Sequence, residues 1–275
     1  MQAALALVRR RGRRWALNGA AAVALGYILV PLAFVTWLAF FRQEIPSFPP
    51  EGYSLRWFAA IFDQRKFVDG FTISFEVGVI ATAIGLVLGV PAALCLARRR
   101  FTGRAAAGSL LLMPLIVPGV VLGTAMYVFH VELENALDVD VIGTFAALVA
   151  GHVVIVIPWI VRLVTASLAG VDRATEEAAQ NLGANRWMTF WRITLPAIQP
   201  GIVAGGLFGF VTSFGNLELS LFLVGPGRTT LPIVILQYLE WKIDPTIAAV
   251  SVVQIALIAA VMLITDRYVR LARVV

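Results

Sequence analysis

Gly170-Val-Asp172-Arg-Ala-Thr-Glu176-Glu177-Ala178-Ala179-Gln-Asn-Leu-Gly183-Ala-Asn185-Arg-Trp187-Met-Thr-Phe190-Trp191-Arg-Ile193-Thr194-Leu195-Pro196 is a polar stretch in an otherwise oily chain. It holds two helix signatures joined by a glycine. Asp172 can accept the free amide hydrogens that open a first helix, and Glu176 and Glu177 suit its early turns. Gly183 fits the left-handed position that ends that helix. Asn185 can cap a second helix, whose Trp187, Phe190, Trp191 and Thr194 recur at three- and four-residue spacing and are expected to share a face. Pro196 is expected to stop it. The segment 170–200 is thus expected to form a knob of two short helices between longer apolar segments.

Working outward, the composition points to a bilayer. Of the 275 residues, 60% are hydrophobic and 14% charged, and the mean hydropathy is +0.87. A soluble domain of this size does not need so much apolar surface. The single cysteine, Cys95, cannot form an internal disulfide or a thiolate cluster. Uncharged or nearly uncharged runs fall at Ala16–Phe41, Phe71–Ala97, Ala105–Phe129, Val141–Val161, Gly201–Val224 and Ile247–Thr265. Each is long enough to cross a hydrocarbon layer of about 30 Å at about 1.5 Å per residue. The first run follows five arginines, as a signal peptide would, but it is too long for one and lacks a small-x-small cleavage site. The expected fold is all-α, a polytopic membrane protein of six transmembrane helices, forming a single domain over residues 1–275 with a tail at 1–15.

Basic residues orient the bundle. Arg9, Arg10, Arg11, Arg13, Arg14, Arg98, Arg99, Arg100, Arg104, Arg162, Arg173, Arg186, Arg192, Arg267, Arg270 and Arg273 fall on one side, sixteen of the 22 basic residues. By the positive-inside rule that side, with both termini and the 170–200 segment, is cytoplasmic. The net charge of +6 is therefore a topology signal, and a nucleic-acid partner gains no support. In the outer segment 42–70, Trp57, Phe58, Ile61 and Phe62 recur at helical spacing and predict a short helix.

Within the spans, Pro114, Pro118 and Pro158 interrupt the hydrogen-bond ladder, as hinges or as static kinks. Gly201, Gly205 and Gly209 recur every fourth residue, as do Gly85 and Gly89, which suits close helix packing. Glu76 sits one turn from an outer end. Glu218 lies deeper, in Ser213-Phe-Gly-Asn216-Leu-Glu218-Leu-Ser220, where a carboxylate is costly unless it meets water, a partner or a cation. Ser213, Asn216, Glu218 and Ser220 are the candidate path residues. His130 and His152 are too scattered for a metal site. No nucleophile–base pairing or phosphate loop is present, so no catalytic, cofactor or metal residue is expected.

Glu177-Ala178-Ala179, then Gly183, then Ile193-x-Leu195-Pro196 resembles the EAA loop of permease subunits in ATP-binding-cassette importers. A lone Glu-Ala-Ala would be ordinary helix composition; three spaced elements in one polar segment are specific. Ser213-Phe214, Leu219-Ser-Leu-Phe-Leu, Gly225-Pro-Gly, Thr230-Leu-Pro232 and Ile243-Asp-Pro-Thr-Ile-Ala-Ala-Val-Ser251 are most similar to spermidine/putrescine-type permeases. The resemblance implies the type I importer permease fold in a bacterial inner membrane. It also implies ATPase-coupling residues Glu176, Glu177, Ala178, Ala179, Gly183, Ile193, Leu195 and Pro196. The implied partners are a second permease subunit in a heterodimer, two ATPase subunits that bind ATP and Mg, and a periplasmic solute-binding protein. The chain itself is then not an enzyme. Gly215-Asn216 stands where such permeases often carry an acidic pair, which bears on polyamine specificity. An ion-driven carrier is the alternative; it would need intramembrane charge pairs, and Glu218 has no evident basic partner.

Overall fold

The computed structural model describes residues 2–269, with side chains described for Trp15 and from Leu17 to Arg267. Arg9, Arg10, Arg11, Arg13, Arg14, Arg270 and Arg273, which enter the orientation reading, lie outside those described side chains. Among the described residues the secondary structure is helical throughout, with no strand beyond two isolated bridges. The helices are α1 (Gln2–Leu38), α2 (Arg56–Asp63), α3 (Arg65–Arg98), α4 (Arg104–Leu112), α5 (Gly119–Leu137), α6 (Phe145–Ala169), α7 (Arg173–Asn181), α8 (Arg186–Thr189), α9 (Leu195–Phe214), α10 (Ser220–Leu223), α11 (Leu231–Trp241) and α12 (Thr246–Val269). Five continuous segments are long and apolar enough to span a bilayer: Leu17–Leu38, Arg65–Arg98, Phe145–Ala169, Arg186–Phe214 and Thr246–Arg267. A bent pair, Arg104–Leu115 with Gly119–Leu137, makes a sixth if counted as one span.

Two of the expected spans are interrupted. The run Ala105–Phe129 does not form one straight helix: α4 passes through a 3₁₀ turn at Met113–Leu115 and then turns 106° into α5. Pro114 and Pro118 explain the break, since neither can donate to the ladder and each disfavours helical geometry in the residue before it. The run Gly201–Val224 is also not one helix. α9 ends at Phe214 and the chain opens over residues 215–219 before the single turn of α10. Asn216 explains the opening: its Oδ1 accepts the Leu219 amide hydrogen at 2.9 Å, a local bond that competes with the helix ladder.

The chain divides into two compact units, Met1–Asp63 with Trp241–Ile255, and Gln64–Glu240 with Ala256–Val275. In the first, the residues after α1 fold into an aromatic cap. Trp57 donates its ring N–H to the Phe41 carbonyl at 2.6 Å, and Trp37 packs edge-on against Phe41. The predicted outer helix is α2; Trp57 and Ile61 form its buried side while Phe62 is exposed.

The second unit is a three-helix core of α3, α6 and α9. Its centre is one stretch of α6. A Cβ added at Gly85 or Gly209 would stand 2.7 Å from Val156, and one at Gly89 or Gly205 would stand 2.9 Å from Ile160. The spaced glycines are therefore packing positions that let two helices approach a third closely. Val156 and Ile160 are fully buried as a result. Outward-facing residues of α3 such as Val79, Ile84 and Leu88 remain exposed and apolar, as a lipid-facing surface requires.

Gly205 meets backbone, the Ile160 Cα, so nothing there can swing away. Gly205→Ala is expected to destabilise the detergent-solubilised protein by about 1–3 kcal/mol. Gly206→Ala, whose Cβ would meet the Leu86 side chain at 3.4 Å, is expected to leave the thermal midpoint nearly unchanged. Equal midpoints for the two variants would refute this account of the core.

Candidate functional site

The polar hairpin forms with the caps its sequence specifies. Asp172 precedes α7 and accepts the Ala174 amide hydrogen at 2.9 Å. At the other end Gly183 adopts φ +95°, its amide donates to the Gln180 carbonyl, and Ala184 donates to the Ala179 carbonyl. That pair of bonds is a Schellman ending, which a left-handed glycine permits. Asn185 then caps α8 by accepting from the Met188 amide at 2.8 Å.

Beyond α8 the structure departs from the sequence expectation. Pro196 does not stop the second helix. The helix widens into a π turn over Phe190–Thr194 and continues as α9, with Pro196 in its first turn. A π turn moves the ladder by one residue, and the Leu195 amide reaches the Phe190 carbonyl. The wider turn accommodates a proline, which lacks a donor and crowds an ordinary α ladder. The expected single face of Trp187, Phe190, Trp191 and Thr194 also divides. Trp187 and Trp191 are exposed, whereas Thr194 is buried.

Glu176 and Glu177 part in the same way. Glu177 is exposed and pairs loosely with Arg173, one turn back on its own helix. Glu176 turns inward: its Oε1 meets the Arg98 guanidinium at 2.9 Å and accepts the Thr194 hydroxyl at 2.8 Å. One carboxylate oxygen therefore ties α7 to the end of α3 and to the π turn leading into α9. A cleft of about 450 Å³ beside it is lined by Arg98, Arg99, Glu176, Arg186 and Phe190, among others. Of the other sequence-selected positions, Ala178 and Pro196 are exposed, and Ala179, Ile193 and Leu195 are half-buried. Around Gly183 there is open space.

The four candidate path residues do not line one surface. Ser213 and Ser220 are buried on either side of His152, with Nδ1 at 2.8 Å from the Ser213 Oγ and Nε2 at 3.2 Å from the Ser220 Oγ. The Ser220 hydroxyl donates to the Asn216 carbonyl at 2.7 Å. Its proton is thus committed, so it accepts from His152 Nε2–H, and Nδ1 accepts from Ser213. A neutral imidazole with the proton on Nε2 satisfies every bond in this chain of groups. His152 joins α6 to α9 and α10 across the opening at 215–219. Sequence inspection discarded it as a metal ligand; the signal for its role is a polar ring in an apolar helix that must find partners.

Glu218 is exposed and lies directly against Gly119, where any Cβ would collide with its carboxylate. One turn further along α5, a Cβ on Gly123 would press into Phe222 and the Leu219 backbone. The two helix breaks, after Leu115 and after Phe214, therefore meet. Irregular backbone at membrane depth is tolerated where protein buries it or water fills a cavity.

A bundle of apolar, broken helices with one anchored polar hairpin at its end defines a membrane transport component. The chain belongs to the family described as binding-protein-dependent transport system inner membrane component, which matches residues 85–273. It is an ABC importer permease, a multi-pass inner-membrane protein similar to the polyamine-type permeases. It is 29% identical over 201 residues to the putrescine transport system permease protein PotI of Escherichia coli (strain K12), covering 73% of this chain and 72% of the relative. It is 31% identical over 212 residues to the molybdenum transport system permease protein ModB of the same strain, covering 73% and 93%. The fold matches a bacterial ABC transporter involved in the import of the acidic polysaccharide alginate, with a TM-score of 0.73 at 16% identity, covering 96% of this chain and 98% of the other.

Two outcomes follow from the geometry. Arg98→Ala and Glu176→Ala should each speed amide exchange across 173–181, and a double-mutant cycle should show a coupling of about 1–2 kcal/mol. Strictly additive effects would mean that the pair does not hold the hairpin. His152→Leu leaves the buried Ser213 hydroxyl without its acceptor and should lower stability by about 1–3 kcal/mol; an unchanged thermal midpoint would contradict the described network.

Proposed function

We propose that this chain forms one half of the translocation path for a small solute, polyamine-like or related, and receives the work of ATP hydrolysis through its 170–200 hairpin. The ATPase is a separate chain that holds ATP and Mg, and this chain binds no cofactor and is not itself an enzyme. One observation carries the reading: the hairpin is fastened inside by Glu176 while its outer surface is left uncovered. Leu182 is 90% exposed and Trp187 73% exposed. Such exposed apolar residues on a polar element suit burial by a partner. Glu177, Ala178 and Gly183 lie on this free side; Ile193, Leu195 and Pro196 lie where the hairpin joins α9.

The partners are a second permease subunit in a heterodimer, two ATPase subunits and a periplasmic solute-binding protein. A related solved structure, a bacterial alginate ABC transporter in complex with an alginate pentasaccharide-bound periplasmic protein, supports the last of these; it has a TM-score of 0.70 at 16% identity. The names of PotI and of the Haemophilus influenzae spermidine/putrescine permease PotC, 23% identical to this chain, support a polyamine-like solute. The arginine distribution supports cytoplasmic termini and a cytoplasmic hairpin. When ATP closes the ATPase dimer, the hairpin moves with its groove. α6 and α9 enter and leave the hairpin directly, so they rock together and switch the access of the path. The solute biases that switch only through its different affinity for the two states. Glu218, exposed at the meeting of the two helix breaks, is the path residue best placed to meet a cationic solute; Asn216 shapes the opening, and Ser213 and Ser220 hold it.

The test is uptake and ATP hydrolysis in proteoliposomes carrying the complete transporter. Glu177→Ala combined with Gly183→Val alters an exposed carboxylate and a left-handed turn without touching the core. Hydrolysis should persist while uptake per ATP falls roughly tenfold, equivalent to about 1.4 kcal/mol of lost coupling. Uptake at the wild-type rate in the double variant would end the proposal.

A further inference from the structure

At the hairpin end of the second unit, a cavity of about 570 Å³ opens between the end of α3, the start of α4 and the last turns of α6. Two guanidiniums, Arg104 and Arg162, border it, and no carboxylate does. Its remaining walls include Leu96, Leu112 and Val161. Thr165 also lines it, and the Thr165 hydroxyl is buried without a hydrogen-bond partner among the described residues. Among those residues, neither Arg104 nor Arg162 is in a salt bridge, in contrast to Arg98, which Glu176 engages. The site therefore offers two positive charges beside an apolar recess.

We propose that this cavity binds a phosphate-bearing anion, with Arg104 and Arg162 clamping the phosphate oxygens. Guanidinium forks match phosphate geometry and form bonds about twice as strong as neutral ones. An anion alone would use the two arginines but not the apolar walls, whereas a phospholipid uses both. Basic pockets between spans on the cytoplasmic side are recognised sites for anionic lipid head groups. The cytoplasmic placement rests on the orientation proposed above; the chemistry of the cavity does not. Bound there, the phosphate would bridge α4 to α6 next to the segment that enters the hairpin.

The experiment uses the full-length chain in nanodiscs and in detergent, with native mass spectrometry as readout. One arm offers phosphatidylglycerol against phosphatidylcholine, and the other offers inorganic phosphate. Retention of phosphatidylglycerol over phosphatidylcholine assigns the phosphate to a lipid; retention of inorganic phosphate alone assigns it to a soluble anion. Arg104→Gln with Arg162→Gln should weaken retention roughly thirtyfold, the effect expected of two basic residues near a membrane surface. Arg104→Lys with Arg162→Lys keeps the charge but not the forks and should bind between the wild type and the Gln pair, which separates loss of the site from loss of the fold. Arg65→Gln, at the opposite end of α3, should change nothing. If neither phosphate source is retained, or the Gln pair binds as the wild type does, the site does not exist. Orientation is checked separately by impermeant thiol labelling of Leu182→Cys in a Cys95→Ser background. Labelling from the outside would overturn the topology and leave the binding result standing.

Discussion

Two helices close on one stretch of a third, and the rest of the second unit depends on that closure. Val156 and Ile160 of α6 take glycines from α3 on one side and from α9 on the other, at distances that leave no room for a methyl group. In a bilayer no hydrophobic drive gathers helices, because lipid is as apolar as a leucine side chain. Close backbone approach and dispersion must do it. Bulky side chains on α6 opposite bare positions on its neighbours achieve this with few polar contacts. The polar contacts present, such as His152 between two serines, lie at the margin of this seam, where a helix stops.

Rigidity in the core gives meaning to the breaks elsewhere. α3 and α6 keep their ladders through Pro91 and Pro158, and α9 absorbs Pro196 in a π turn. By contrast, Pro114 and Pro118 together dismantle a span, and Asn216 opens another without any proline. The number of helix-breaking residues does not decide the outcome; their spacing and the neighbouring support do. Two prolines four residues apart deny the ladder at consecutive turns, and the bonds from Ile116 and Val117 to the Met113 carbonyl do not carry it past Pro118.

Composition and the spacing of apolar runs were enough to read the membrane class, the approximate spans, the hairpin caps and the glycine seam. These are local signals, and the physics that produces them acts over a few residues. What stayed hidden depends on distant parts of the chain meeting. Glu176 and Glu177 are neighbours of identical chemistry, and the position of Arg98, 78 residues away, separates an anchor from a carboxylate that pairs only within its own helix. His152 looked idle because its partners lie 61 and 68 residues further on. Pro196 read as a stop because a π turn leaves no mark in hydrophobic periodicity.

The π turn at Phe190–Thr194 has a mechanical corollary. Hairpin and span are one rod from Arg186 to Phe214, with no slack joint between them. Trp187 therefore lies on the same continuous helical segment as Gly205, where α9 is pressed against the Ile160 backbone. Adding or removing one residue between 190 and 195 would turn the tryptophan-bearing surface by about 100° relative to the seam. The length of this short segment thus fixes how the tryptophan-bearing surface is turned relative to the side of α9 that packs on the core.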